Sequence, residues 1–452
     1  MAPAVDQISS LLTLINDAAR TLEAAYQTGC GHVPSLDDTD PHPLDGKLSA
    51  PGMQEAVQVL EGACAQICAT LARPNHTVLN RFFLTGLEPS CLRVALTFKI
   101  PDILQETPCG MHVTEIGKRC GGEPSKLSRI LRLLSAKHCF REVERDVFAN
   151  NRLSVQLLAS DPLHSLGLHM TGDTTEGATK LAEVLADPQW GSSFLPVNSA
   201  WNRVTEQPMS MFDFWDQNPE MHEYGERFAI GMLGWGTAVE AAAIVNAYPW
   251  GKLGPGATVC DLGGGVGAMS IQLARAHPGL RLKLQDLPDR VAEAESFLWP
   301  AECPEAIKEN RIEFKKIDFL VEPPIAGCDV YYLKNILHAY PDPQCLKILR
   351  GIRKSMKPGS RVLIHEYILQ TGGHDQPADR RLKKAPAPLM SNYGQGRIRQ
   401  YYLDVSLMVL LNGKERTLDE YLELGEQAGL KFMKVWDFGD MSGVELCARD
   451  DE

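Results

Sequence analysis

Apolar residues recur along this chain at two different periods, and the change from one to the other divides it. In residues 7–28, Ile8, Leu11, Leu12, Ile15, Ala18 and Leu22 fall at helical spacing. The stretch from Gly31 to Gly52 is rich in Pro, Asp and Gly and reads as a linker or surface excursion. A second helix is expected from about Met53 to Leu71. A leading helix behind such a linker either reaches a partner subunit or packs on its own domain. Residues 86–160 then read as a small helical domain, with a short helix at Val113–Cys120 and a turn at Gly121–Ser125. A second helix follows at Lys126–His138, carrying Leu127, Ile130, Leu131, Leu133 and Leu134, and a two-stranded wing spans Phe140–Ala149 with its turn near Glu144–Asp146. Helix, turn, helix and wing together suggest a winged-helix module.

From Gly254 the period switches to alternating strands and helices. Strands are expected at 257–262, 280–285, 311–316, 329–333 and 361–367, with helices at 266–277, 287–298 and 342–356 between them. Asp342 is placed to cap the last of these, Pro343 suits its first turn, and Lys357-Pro358-Gly359 ends it. Helices near 401–411 and 418–428 precede a final strand pair, 431–436 and 444–448. The pattern is α/β: a doubly wound, Rossmann-like sheet closed by an antiparallel hairpin.

At 452 residues the chain is long enough for two or three domains. Its 44% hydrophobic and 23% charged residues are those of a globular protein. A net charge of −12 argues against nucleic acid and anionic membranes as partners. In a DNA-binding winged helix, Arg129, Arg132 and Lys137 would meet phosphate, but the overall acidity favours packing or dimerisation architecture. No apolar run approaches the roughly 18 residues that span a bilayer. The first residues, Met1-Ala-Pro-Ala-Val-Asp6, lack a signal-peptide pattern. The 12 cysteines are scattered; Cys64 and Cys68, four apart on a helix, read as small buried apolar residues rather than metal ligands. A cytoplasmic protein with reduced thiols is the expectation.

Chemistry concentrates at two places. Asp261-Leu-Gly263-Gly264-Gly265-Val-Gly267 lies where a strand hands over to a helix, so the backbone can turn sharply and approach a ligand beside free helix N–H groups. Gly263-x-Gly265-x-x-Ala268 also satisfies a dinucleotide fingerprint, and Asp286 at the end of the next strand suits a ribose diol in either reading. Asp261 within the motif, and the terminal hairpin, favour S-adenosylmethionine over nicotinamide. The second place is His338, after the fourth strand, with Glu366 at the end of the fifth. Ligand crevices in open α/β sheets lie at the carboxyl ends of strands, and neighbouring strands are about 4.8 Å apart, so the two side chains can share one crevice. Histidine suits proton abstraction near neutral pH, and a carboxylate on one ring nitrogen would orient it. His365 points to the opposite face and reads as structural.

The runs Leu333-Lys-Asn-Ile-Leu-His338, Pro341-Asp342, Cys345-Leu-Lys347 and Lys357-Pro-Gly359, with Asp261–Gly267, Leu403-Asp-Val405 and Gly413-Lys-Glu-Arg-Thr417, resemble the plant caffeic-acid-type O-methyltransferases and their fungal relatives. The resemblance runs from about Leu87 to the C-terminus. It implies that the winged-helix domain serves homodimerisation and that His338 is a general base for a phenolic hydroxyl, flanked by Glu366 and Glu415. Asp286 would hold the ribose of S-adenosyl-L-methionine, Asp318 and Phe319 would surround its adenine, and Lys334 would line the site. Asp261, Gly263 and Gly265 would complete the donor site, with Gly263 the close approach of backbone to donor. Phe228 and Met232 would sandwich the acceptor, with Leu407 and Met408 beside it; without the resemblance these are ordinary helix packing. The products would be the methyl ether and S-adenosyl-L-homocysteine, and no metal is needed.

Some positions depart from the plant pattern. Ala339 and Tyr340 follow the base where Asp and Trp are usual, Leu407 stands where Met is usual, and Gly236 replaces a polar residue. The loop 371–396 is longer, and reads as either a mobile lid or a disordered segment. The expected divisions are 1–85 (helices and linker), 86–170 (winged-helix dimerisation domain), 171–253 (connecting helices lining the acceptor pocket) and 254–452 (catalytic domain). Two other readings remain: a family member that binds the donor but catalyses a non-methylating rearrangement of a polyketide-type substrate, and a winged-helix regulator using the cofactor fold as a sensor.

Overall fold

The computed structural model describes residues 4–45, 52–239, 242–372 and 381–449. The chain divides into two compact units, Met1–Val239 with Val409–Leu411 and Glu240–Met408 with Asn412–Glu452. In the first unit the helices Ala4–Cys30 and Met53–Leu71 pack along each other. Leu11 and Ala18 of one are buried, as are Met53, Ala56, Val59 and Ala63 of the other, so the leading helix has a partner within its own unit. Cys64 and Cys68 fall off that buried stripe and are exposed, contrary to the expectation that they would be core residues.

The winged-helix module is present. Helices Leu87–Thr97, Val113–Cys120 and Pro124–Ala136 enclose Ile116, Leu127, Leu131, Leu134, Phe140 and Phe148 with the wing strands Arg141–Glu144 and Val147–Ala149. The helix expected from Lys126 begins at Pro124, because the Glu123 carboxylate accepts the Lys126 N–H at 2.9 Å as an N-cap. A third strand, Met111–His112, pairs with Val147–Phe148; two residues are too few for alternation to reveal. Arg132 pairs with Glu142 at 2.7 Å and Asp146 at 3.0 Å, and Lys137 with Glu88 at 2.6 Å, so cations that would serve phosphate are occupied by carboxylates. Among the described residues no helix is long and apolar enough to cross a membrane.

The second unit is built on seven strands: β1 Thr258–Leu262, β2 Arg281–Asp286, β3 Ile312–Lys316, β4 Val330–Lys334, β5 Arg361–Glu366, β6 Leu430–Asp437 and β7 Ser442–Ala448. Their order is β3-β2-β1-β4-β5-β7-β6, parallel except where β7 runs antiparallel to β5 and β6. Both faces are covered, as a parallel sheet requires. Cys260, Leu262, Tyr331, Leu333, Val362 and Ile364 pack on one side with helices Asp342–Ser355 and Leu418–Gln427. The alternate residues Val259, Leu282, Leu284, Val330, Tyr332 and Leu363 pack on the other with Ile271, Ala274, Trp250 and Trp299. The chain runs outward from β1 to β3, then returns to lay β4 on the other side of β1. The carboxyl ends of β1 and β4 therefore flank the topological switch point, where open α/β sheets hold their ligands.

Two local expectations change. Pro341, not Asp342, is the N-cap of Asp342–Ser355; Asp342 is its first residue and pairs with Arg416 at 2.7 Å. The long loop is held at its described flanks. Gln370 donates to the Lys383 carbonyl at 3.0 Å, Ser391 to Thr371 at 3.1 Å and Asn392 to Tyr401 at 2.8 Å, while Leu389 and Tyr393 are buried. Residues 381–396 are thus tied to the unit rather than free; residues 373–380 lie outside the described residues.

Candidate active site

β1 ends at Leu262, and the chain reverses through 263–267 into helix Ala268–Ala276. Gly263, Gly265 and Gly267 hold φ of +72°, +59° and +85°, a region L side chains rarely adopt. The Gly263 N–H donates to the Gln285 carbonyl at 2.8 Å and the Gly265 N–H to Asp286 Oδ2 at 2.7 Å, fastening the turn to the end of β2. A Cβ on Gly264 would lie 2.5 Å from the Asp261 carboxylate, and one on Gly267 would lie 2.7 Å from Trp299 Nε1. At Gly265 nothing comes within 4 Å of such a Cβ, so the turn is open there. A Cβ on Gly263 would meet Ile336 Cδ1 at 2.5 Å. Phe319 Cε1 lies 3.3 Å from the same position. Asp261 is sealed beneath the turn, accepting the Ser270 hydroxyl at 2.6 Å. Burial pushes its carboxyl up to about 6 against the opposing pull of Ser270.

Beyond β4, Asn335 at φ +55° turns the chain into a single short 3₁₀ turn, Leu337–Ala339. Three residues of 3₁₀ helix are a weak scaffold by themselves. Side chains from outside the turn hold it. Glu366, at the end of β5 and 1% exposed, accepts the Ile336 and Leu337 N–H groups on Oε1 at 2.9 and 2.6 Å, and the Tyr421 hydroxyl on Oε2. Arg416, fully buried, donates to the Leu337 and Tyr340 carbonyls at 2.7 and 2.8 Å and pairs with Asp342. The Lys414 N–H donates to the His338 carbonyl at 2.9 Å.

These bonds fix the His338 ring. Its Nδ1 lies 2.8 Å from Glu415 Oε1. An ionised carboxylate only accepts, so the ring donates from Nδ1, and in the neutral imidazole the lone pair is on Nε2. Nε2 has no hydrogen-bond partner among the described residues. Burial alone would lower the His338 pKa, but the charge and hydrogen bond of Glu415, with the charge of Glu366, raise it above the ordinary histidine value. Burial raises the Glu415 carboxyl, and His338 opposes that rise. Glu415 is in turn positioned by its N–H, which donates to Asp404 Oδ1 at 2.8 Å, and by the short parallel pairing of Arg416–Thr417 with Ile368–Leu369. The result is a buried, oriented imidazole at the carboxyl end of β4, next to the strand that carries the glycine turn.

Residues 209–431 match the family model of the O-methyltransferase domain, and residues 81–160 match that of the O-methyltransferase dimerisation domain. The 3-O-methyltransferase 2 of Phanerochaete chrysosporium is 39% identical over 98% of each chain. The O-methyltransferase gedA of Aspergillus terreus is 34% identical over 84% of each. This chain belongs to the O-methyltransferase family. It is an S-adenosylmethionine-dependent enzyme of that family with a fungal set of relatives. A solved pericyclic reaction enzyme covers 98% of this chain at a TM-score of 0.70 and 18% identity, a likeness of fold.

In this methyltransferase the remaining expected site residues are distributed as follows. Asp286 is half-buried and accepts N–H groups on both oxygens, from Gly265 and Leu287, each at 2.7 Å. Asp318 is exposed and accepts the Leu320 N–H at 2.9 Å, and Phe319 stands edge-on to Tyr340 at 5.7 Å between ring centres. Lys334 is half-buried and makes no ion pair among the described residues; desolvation lowers its ammonium pKa, against the fields of Asp261 and Glu366. Leu407 is buried against Gly413, and Met408 is half-buried. Phe228 belongs to the first unit, edge-on to His169 at 5.1 Å and Phe212 at 5.3 Å, with Met232 one turn on and half-buried. His365 bonds Tyr332 at 2.8 Å and is held neutral by burial, the structural role expected of it.

One expectation needs correction. Of the two carboxylates assigned to the base, only Glu415 is bonded to the ring; Glu366 is committed to two backbone amides and Tyr421. Sequence reasoning also missed Arg416, Tyr421 and Asp404. Asp404 and Arg416 stood inside the matched runs, but nothing in the sequence marked them as buried. The Glu366 assignment is testable. Glu366→Ala leaves two buried N–H groups without acceptors and is expected to lower the unfolding free energy by about 2–4 kcal/mol. Glu366→Gln keeps an acceptor oxygen and is expected to retain most of it. Equal losses in urea denaturation would contradict the role.

Proposed function

We propose that this methyltransferase acts on a hydroxyl of a small phenolic or aromatic secondary metabolite, with Nε2 of His338 as general base. The observation that carries this reading is the 2.8 Å bond between His338 Nδ1 and Glu415, which leaves Nε2 as the lone-pair nitrogen of a buried ring. Phenols are acidic enough for an imidazole to remove their proton, and the neighbouring carboxylate stabilises the imidazolium formed.

The residues around the glycine turn fit the methyl donor. Gly265 offers open space above an unhindered backbone, and each Asp286 oxygen has a second lone pair with which to accept a ribose hydroxyl. Phe319 supplies an apolar flank for adenine, with Asp318 beside it and Lys334 lining the end of β4. When bound, S-adenosylmethionine supplies an electrophilic methyl group to the acceptor oxygen and leaves as S-adenosylhomocysteine. His338 holds the hydroxyl and receives its proton on Nε2. Glu415 keeps the ring in the productive tautomer, and Glu366 and Arg416 keep the turn in place. Positioning and base catalysis are then the protein's contributions. Retention of this base supports methyl transfer over a rearrangement that has no use for one.

We further infer that the acceptor enzyme is a homodimer through its N-terminal region. Phe82 and Phe83 are 71% and 72% exposed at the start of the matched dimerisation domain, and Leu71, Leu84 and Leu87 are exposed nearby. An apolar patch of this kind marks an interface.

Incubation with labelled donor and a panel of phenols, flavonoids and aromatic polyketides tests the activity. His338→Ala is expected to lose transfer by about 10²–10⁴-fold while still binding donor; full activity would remove His338 from the mechanism. A neutral base works above its pKa and fails as pH falls through it. Because that pKa is raised, the acid limb of kcat/KM is expected above pH ~6.5. Glu415→Gln is expected to move the limb to lower pH, and an unmoved limb would contradict the pairing. For assembly, Phe82→Asp with Phe83→Asp is expected to convert a dimer to a monomer in light scattering; an unaltered dimer would place the interface elsewhere.

A further inference from the structure

Outside the transfer site, one cluster of ligating side chains has no role in the chemistry above. We propose that Cys30, His32 and His42 form a zinc site in the first unit. Cys30 is the last residue of helix Ala4–Cys30, and Gly31, at φ +83°, stops the helix and turns the chain back. That reversal returns His32 toward the helix end. His42 arrives from the other end of the same loop, flanked by Pro41 and Pro43, and its side chain is buried although most of the loop is exposed.

Cys30 Sγ and His42 Nε2 are 3.1 Å apart, and the His32 and His42 rings are 4.7 Å apart at 61°. Taking one ligand atom from each residue, all three lie within 4.8 Å of one another. Tetrahedral zinc, with bonds of ~2.3 Å to sulfur and ~2.0 Å to nitrogen, separates such atoms by about 3.6 Å. One pair is already closer than that, and the remaining gap closes by rotation of the exposed His32 side chain. One thiolate with two imidazoles is a donor set that selects zinc over the hard cations magnesium and calcium, and three protein ligands leave a fourth position for water.

The surroundings hold the loop that carries His42. The His42 backbone N–H donates to Asp45 Oδ2 at 3.0 Å, and Asp45 Oδ1 pairs with Arg152 at 2.5 Å. The Arg152 N–H in turn donates to the Leu36 carbonyl at 3.0 Å, so the loop is tied at its middle and its end. Tyr26 stands edge-on to the His42 ring at 5.1 Å. Asp38 and Asp40 add negative charge to the loop, which favours a cation.

Binding balances simply. Without metal, His42 Nδ1 accepts the Leu44 N–H at 3.2 Å and Nε2 faces the thiol. Zinc takes the Cys30 sulfur as thiolate, whose proton goes to buffer. The His42 ring binds through Nε2, its proton moves to Nδ1, and the Leu44 contact is given up. One proton is released per zinc, and the end of the leading helix becomes clamped to the 32–45 loop.

The full-length protein, stripped with chelator, is titrated with zinc chloride in calorimetry and with cobalt(II) as a spectroscopic substitute. The expected result is one zinc per chain, heat that varies with buffer as one proton is released, and a thiolate-to-cobalt charge-transfer band. Cys30→Ser and His42→Ala should each weaken binding at least about tenfold, and retained methyl transfer shows that the variants fold. The double variant Cys64→Ser with Cys68→Ser controls for the exposed cysteine pair and should bind as the parent does. Absence of binding, binding indifferent to Cys30→Ser and His42→Ala, or binding abolished with the Cys64 and Cys68 pair would each overturn the proposal.

Discussion

A short turn of backbone, gripped from two sides by opposite buried charges, determines where the His338 imidazole stands. Glu366 holds the N–H groups of Ile336 and Leu337, and Arg416 holds the carbonyls of Leu337 and Tyr340. The peptide dipoles of the turn thus run between a carboxylate and a guanidinium, through charge-assisted hydrogen bonds stronger than neutral ones. Burying these charges costs desolvation, which is offset only while the geometry of the turn is kept. Removing either side chain would leave the backbone groups it holds without their partner. The same constraint makes the turn rigid enough to place one nitrogen of His338 rather than a family of positions.

Four distant pieces of chain meet around this turn because of the strand order. The reversal after β3 lays β4 beside β1, which brings the glycine turn and the His338 turn to one edge of the sheet. β5 then delivers Glu366 next to β4, and the pairing of Ile368–Leu369 with Arg416–Thr417 carries Glu415 back to the ring. The terminal hairpin, with β7 antiparallel to β5, closes the sheet on that side. Fold and ring placement are therefore one design: the topology supplies proximity, and the two buried charges convert proximity into orientation.

Much of this was legible in the sequence because it follows from local rules. The continuous apolar runs of β4 and β5, glycines at positive φ after β1 and the Lys357-Pro358-Gly359 stop all act within a few residues. His338 stood out because it follows a strand end where ligands collect. What escaped notice depends on contacts between remote residues. Register places Glu366 on the right face of β5 but does not say that backbone amides reach it before an imidazole does. Arg416, beside Glu415, looks like half of a surface ion pair; only the fold shows it fully buried against carbonyls 76 and 79 residues away. Asp342 has the composition of a cap and the position of a salt-bridge partner. Cys64 and Cys68 have the spacing of core residues and lie off the buried stripe, because four-residue spacing fixes a common face but not which way it points.

The account turns on the protonation of one ring: Nδ1 bearing a proton shared with Glu415, and Nε2 free to receive another. Nitrogen NMR of ring-labelled histidine, with His338 assigned by its loss in His338→Gln, reads that state directly. Above the pKa of His338, the account predicts one protonated, hydrogen-bonded nitrogen at Nδ1 and an unprotonated Nε2, with the Nδ1 signal shifting in Glu415→Gln. A proton on Nε2 with Nδ1 bare would contradict it.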